Sequence, residues 1–99
     1  MSKMCDEMIA LREYLDRHAI KWRDDSCEYD NDFFIHRTKF TIGDHEFSVI
    51  NGYGTYGGIV SFGCKNNGLL ELMIDRKEPL GCLTAKEVEG YINECLHNY

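Results

Sequence analysis

Apolar residues near the start of the chain recur as Met4, Met8, Leu11 and Leu15, at i, i+4, i+7 and i+11, with Glu13 and Arg17 four apart on the other side. That period gives an amphipathic helix with one apolar stripe and a charged flank facing water. Ser2 reads as its N-cap, and Asp6 and Glu7 complement the positive end of the helix dipole. HAIKW, carrying the single tryptophan, reads as a short strand. FFIHRTKFTI then alternates strictly, with Phe34, His36, Thr38, Phe40 and Ile42 on one face and Phe33, Ile35, Arg37, Lys39 and Thr41 on the other. Gly43-Asp44 supplies turn chemistry before HEFSVIN, whose Phe47 and Val49 share a face, so the two runs pair as an antiparallel hairpin. GIVSFGC and LLELMID read as a second strand pair joined by Lys65-Asn66-Asn67-Gly68, where the Asn-Gly step suits a tight turn. Thr84-Ala85-Lys86-Glu87 is a capping box, and Val88, Tyr91, Ile92 and Cys95 form the stripe of the helix it opens. Gly90 within that helix predicts a close approach to the sheet. The pattern is that of a single α+β domain over residues 1–99: an antiparallel four- to five-stranded sheet flanked by an N-terminal and a C-terminal helix, both on one sheet face.

Composition narrows the class of protein. The chain has 99 residues, 43% apolar and 12% aromatic with one proline, enough to bury a core and unlike a disordered segment. Its formal charge of −6, from 17 acids against 11 bases, disfavours direct binding to nucleic acid or to an anionic membrane and favours a basic partner. Five cysteines, Cys5, Cys27, Cys64, Cys82 and Cys95, include no C-x-x-C pair and an odd number cannot all close into internal disulfides, which fits reduced thiols in the cytoplasm. MSKMCDEM has acids where a secretory signal needs bases, and no run reaches the ~20 apolar residues of a membrane span. These features predict a soluble, cytoplasmic protein.

Candidate chemistry centres on INGYGTYGGIV, which contains G-x-G-x-x-G as Gly52-Tyr53-Gly54-Thr55-Tyr56-Gly57. A dinucleotide loop needs a helix directly after its glycines, because the helix N-terminus holds the pyrophosphate. Here a strand-like run follows, and the Walker pattern is absent. A protein-kinase phosphate loop joins two strands, but needs catalytic lysine and aspartate residues for which the chain has no room. Two readings remain. Tyr53, Gly54, Thr55, Tyr56 and Gly57 form an anion nest in which the tyrosines stack on a nucleotide-like ligand, or the glycines make a bend and the tyrosines cover the sheet edge, which the context favours.

The second candidate is RDDSCEYDND, in which Asp24, Asp25, Glu28, Asp30 and Asp32 crowd into nine residues and predict a solvated acidic loop that meets a basic protein surface. It lacks the glycine and terminal glutamate of an EF-hand loop, and His18, His36, His45 and His97 stand singly, so neither metal nor cofactor is expected. His36, on the apolar face between Phe34 and Phe40, is more readily a buried structural histidine than a catalytic base, which makes a small enzyme the third choice. Arg37 and Lys39, on the opposite face, can pair with the acidic loop or contact an anionic ligand.

Taken together, AIKWRDDS, FFIHRTKF, FSVINGYGTYGG, GLLELMI and EPLGCLTAKEV resemble small uncharacterised proteins encoded in phages and prophages of Gram-positive bacteria. The resemblance brings no catalytic residues. It implies a compact accessory or counter-defence factor that binds a host component. The expected function is therefore a non-enzymatic inhibitor that blocks a host protein with a basic surface. The alternative is sequestration of a nucleotide or nucleotide-derived signal through Gly52–Gly58. An edge strand or the open side of the sheet offers a route to a homo-oligomer.

Overall fold

The computed structural model describes residues 4–29, 33–58 and 66–97. In chain order these form α1 (Asp6–Arg17), β1 (Trp22–Asp24), β2 (Cys27–Glu28), β3 (Phe34–Ile42), β4 (His45–Gly52), β5 (Leu70–Ile74), β6 (Leu80–Leu83) and α2 (Ala85–His97). The architecture is α+β. The sheet runs β1-β3-β4-β5-β6, β2 also pairs with β3, and every described ladder is antiparallel.

The β3–β4 hairpin forms as its pattern predicts. Ile42 pairs with His45 across Gly43-Asp44, and Gly43 takes a φ of 59°, the positive value that so short a loop demands at its first position. This register stacks Phe40 on Phe47 with ring centroids 5.0 Å apart and aligns Thr38 with Val49. Val49 in turn pairs with Leu72, so the inward residues of three strands form one apolar surface. Met8, Leu11 and Leu15 of α1 and Val88 and Ile92 of α2 close over it, all fully buried with Phe47, Val49, Leu70 and Leu72. Both helices thus lie on one sheet face, in a two-layer arrangement around a single core.

The helix ends differ in part from the pattern. α1 begins at Asp6 with Cys5 as an N-cap that makes no side-chain capping bond; Met4 packs on the core from outside the helix, and Ser2 lies outside the described residues. At its C-terminus the Ala19 amide donates to Asp16 O and the Ile20 amide to Leu15 O, at 3.2 and 2.9 Å, the paired bonds of a Schellman motif. At the start of α2 the capping box is present: the Thr84 amide donates to Glu87 Oε1 at 3.0 Å, and the Glu87 amide to Thr84 Oγ1 at 3.3 Å. Glu7 of α1 adds a long-range cap, accepting the Ala85 amide at 2.6 Å. Gly90 corrects the expected close approach, because it is exposed and a Cβ there would meet no atom within 4 Å.

The second predicted strand pair involves Ile59–Cys64, which lie outside the described residues; β5 finds its described partners in β4 and β6. The predicted acidic loop is also more ordered than expected, since Trp22–Asp24 and Cys27–Glu28 are strands laid along β3. No described helix is long and apolar enough to cross a membrane.

Candidate binding site at one end of the sheet

The glycine-rich segment leaves β4 at Gly52 and folds back on itself. The Thr55 hydroxyl donates to Gly52 O at 2.8 Å and accepts the Gly52 amide at 3.0 Å, closing a small buried ring. The Tyr53 amide donates to Phe34 O at 3.0 Å, Thr55 to Gly52 O at 3.2 Å, and Gly58 to Thr55 O at 3.1 Å. Tyr56 donates its amide to Glu71 Oε1 at 3.2 Å. Five amides of the segment, those of Gly52, Tyr53, Thr55, Tyr56 and Gly58, therefore serve the protein itself.

The acceptor of the Tyr56 amide is itself nearly buried: Glu71 is only 8% exposed and lies against the loop. A side chain on Gly52 would collide with Phe34 O, and one on Gly58 with Gly52 O. Glycine is needed here because backbones touch. The geometry is that of a closed bend. Thr55 is a latch within it, and the run beyond Gly58 lies outside the described residues.

Tyr53 has a different role. Its ring lies 5.0 Å from that of Phe33, tilted by 50°, and the two join Tyr29, Phe34 and Ile35 in lining a cleft of about 100 Å³. The position follows from the sheet. Glu28 pairs with Phe34 and the Tyr29 amide donates to Phe33 O at 2.9 Å, while on the other side Tyr53 bonds Phe34 O. Two segments that read as separate candidates, the acidic stretch and the glycine–tyrosine loop, thus converge on the start of β3. Tyr29 is 81% exposed. Tyr56, 59% exposed, lies apart from the cleft, its carbonyl accepting the Cys82 amide at 3.2 Å.

The acidic residues divide in two. Asp24 accepts Arg12 Nη2 at 3.2 Å and the Ser26 amide at 3.1 Å, and its bond from the Ser26 hydroxyl does most to hold its carboxyl below the usual range. Asp25 lies 3.4 Å from Arg37 and 3.5 Å from Lys39, and the Arg37 bond is the largest cause of its lowered pKa. These two face bases of their own chain. Glu28 pairs with Phe34 in the β2–β3 ladder, and Asp30 and Asp32 lie outside the described residues.

His36 is buried with its ring 4.7 Å from Phe34, and burial pushes its pKa below the ordinary 6.5. Among the residues that sequence reasoning passed over, Asn51 is fully buried and exchanges amide bonds of 3.1 and 2.8 Å with Asn66, while donating to Leu69 O at 2.7 Å. Its place on the inward face of β4, after Phe47 and Val49, was the available signal. Arg12, whose Nε donates to Thr38 Oγ1 at 2.7 Å and which lies over the Trp22 ring at 4.5 Å, gave no such signal.

In comparisons with known proteins, no family model, no curated protein and no solved structure matches this chain.

Proposed function

We propose that this chain is a non-enzymatic binding protein that captures a basic protein surface and blocks it, seating a cationic side chain of the partner in the cleft of Tyr29, Phe33 and Tyr53. The observation that carries this reading is the convergence of the acidic stretch and the tyrosine loop on one aromatic cleft. Aromatic faces attract an ammonium or guanidinium group within about 6 Å of the ring centre, and buried aromatic pockets are where interfaces concentrate their energy. A cleft of about 100 Å³ suits one side chain and falls well short of the roughly 300–1,000 Å³ of small-molecule sites. The net charge of −6 draws a basic partner in.

Nucleotide capture by the glycine loop has less support, because five of the loop's amides already serve the protein itself. The phage resemblance supplies the setting: the partner is a host protein, met in the cytoplasm, where thiols such as Cys27 and Cys82 stay reduced.

The test is NMR titration of the protein with a short arginine-rich peptide and with the same peptide carrying citrulline. Arginine should shift the ring resonances of Tyr29, Phe33 and Tyr53, binding should weaken with added salt, and Tyr53→Ala should cost about tenfold in affinity. Shifts spread evenly over the acidic surface, or equal binding of the citrulline peptide, would rule the cleft out.

A further inference from the structure

The sheet face away from the helices has a charge arrangement that neither the fold nor the proposed cleft requires. Arg23 and Lys39 stand directly opposite each other on β1 and β3, a like-charge pair that weakens the sheet. Arg37 follows two residues before Lys39 on the same face. One carboxylate, Asp25, serves both Arg37 and Lys39, at 3.4 and 3.5 Å, and the neighbouring Asp24 is turned to Arg12.

Two shallow depressions of about 400 and 420 Å³ adjoin these residues and share Lys39 and Glu46 in their walls. Lys21, Arg23, Arg37, Lys39 and Arg76 border them, against Glu46 and Glu71. Bases outnumber acids here, in a chain where acids lead by 17 to 11. Local charge conflict of this kind, held in place by a well-packed sheet, is where a binding function is to be sought.

We infer that this face binds a phosphorylated small molecule, whose phosphoryl oxygens take the place of Asp25 on Arg37 and Lys39 and gain Arg23 as a further donor. Guanidinium groups match phosphoryl oxygens in geometry as well as charge. Ile50 and Met73 line the larger depression beside the cations and offer apolar contact to the uncharged part of the ligand. The depressions fall within the roughly 300–1,000 Å³ typical of small-molecule sites. A polyanionic macromolecule would extend beyond the strip and meet the net charge of −6, whereas a compact anion would not.

Calorimetric titration with ADP and with inorganic pyrophosphate, at low salt and without divalent metal, tests the inference; the two probes carry the same phosphoryl pair and differ in the nucleoside. ADP should bind more tightly than pyrophosphate. Lys39→Gln and Arg37→Gln should each weaken both about tenfold. Asp25→Asn, which releases the cations, should strengthen both several-fold, while Glu13→Gln, removing an exposed acid on α1, should change neither. Tyr53→Ala should leave ADP binding intact, which keeps this site distinct from the cleft. Failure of both probes to bind Asp25→Asn, or binding indifferent to Lys39→Gln, would overturn the site. Equal affinity for the two probes would reduce it to bare anion attraction and overturn the small-molecule assignment.

Discussion

The two faces of β3 share one backbone and one set of ladder bonds, yet they do different physical work. Phe34, His36, Thr38, Phe40 and Ile42 are all buried, most of them under the helices, whereas Ile35, Arg37, Lys39 and Thr41 keep access to solvent. On the covered face the Thr38 hydroxyl is satisfied nearby: it accepts from Arg12 and donates to Met8 Sδ at 3.2 Å. On the open face Arg23 and Lys39, of like sign, stand opposite each other, and the Asp25 carboxylate lies against Lys39 and Arg37. Burial leaves little room for an unmatched polar group, since each costs about 1–3 kcal/mol. Exposure tolerates mismatch, and mismatch is what a ligand can relieve.

The sharpest way to break this comparison is to show that both faces support the fold equally. Phe47 is fully buried and stacks on Phe40, so Phe47→Ala should cost about 3–5 kcal/mol in chemical denaturation. Ser48, the next residue, points to the open face, and Ser48→Ala should stay within about 0.5 kcal/mol of the parent. Similar losses for the two would mean that the open face is packed against something that stabilises it.

This division was legible in the sequence, because alternation in FFIHRTKFTI and HEFSVIN assigns each residue to a face before any contact is known. The capping box was legible too, being local. What escaped depends on distance along the chain. Glu7 capping Ala85 and Glu71 accepting from Tyr56 join residues 78 and 15 positions apart, and no periodicity encodes such pairs. The candidate site was half legible. Its tyrosines and acids stood out, but their meeting at Phe33 and Phe34 follows from β2 and β4 lying on opposite sides of the same strand. The ion pairs of the acidic stretch were half legible too: alternation set Arg37 and Lys39 on one face as partners for it, and Asp25 takes both, whereas Arg12 of α1 against Asp24 was hidden because no periodicity brings that helix to that residue.

Acid separates the faces further. Burial lowers the pKa of His36, so near and below pH 6.5 the unfolded chain binds a proton that the folded chain resists. Stability should therefore be full above 6.5 and fall as pH drops from there toward the lowered folded value. Asp24 and Asp25 titrate below their ordinary 3.8, so their stabilising pairs persist through that window and are lost only at lower pH. Urea denaturation between pH 8 and pH 5 checks the first window; His36→Gln should flatten the slope whatever its effect on absolute stability. An unchanged slope would mean that His36 is not the group responsible.

The smallest predicted effect lies in the helical layer that creates the difference between the faces. Gly90 falls inside α2, where its backbone freedom costs about 1 kcal/mol relative to alanine. Were the helix pressed against the sheet at that point, the missing side chain would be the reason; but Gly90 is exposed and a Cβ there meets nothing within 4 Å. Gly90→Ala should accordingly stabilise the protein by about 0.5–1 kcal/mol, raising Tm by a few degrees for a domain of this size. The gain should leave both proposed binding activities unchanged, since Gly90 lines neither the cleft nor the open face. A loss of stability would place α2 closer to its neighbours than this packing allows, and with it the account of why one face of the sheet is sealed.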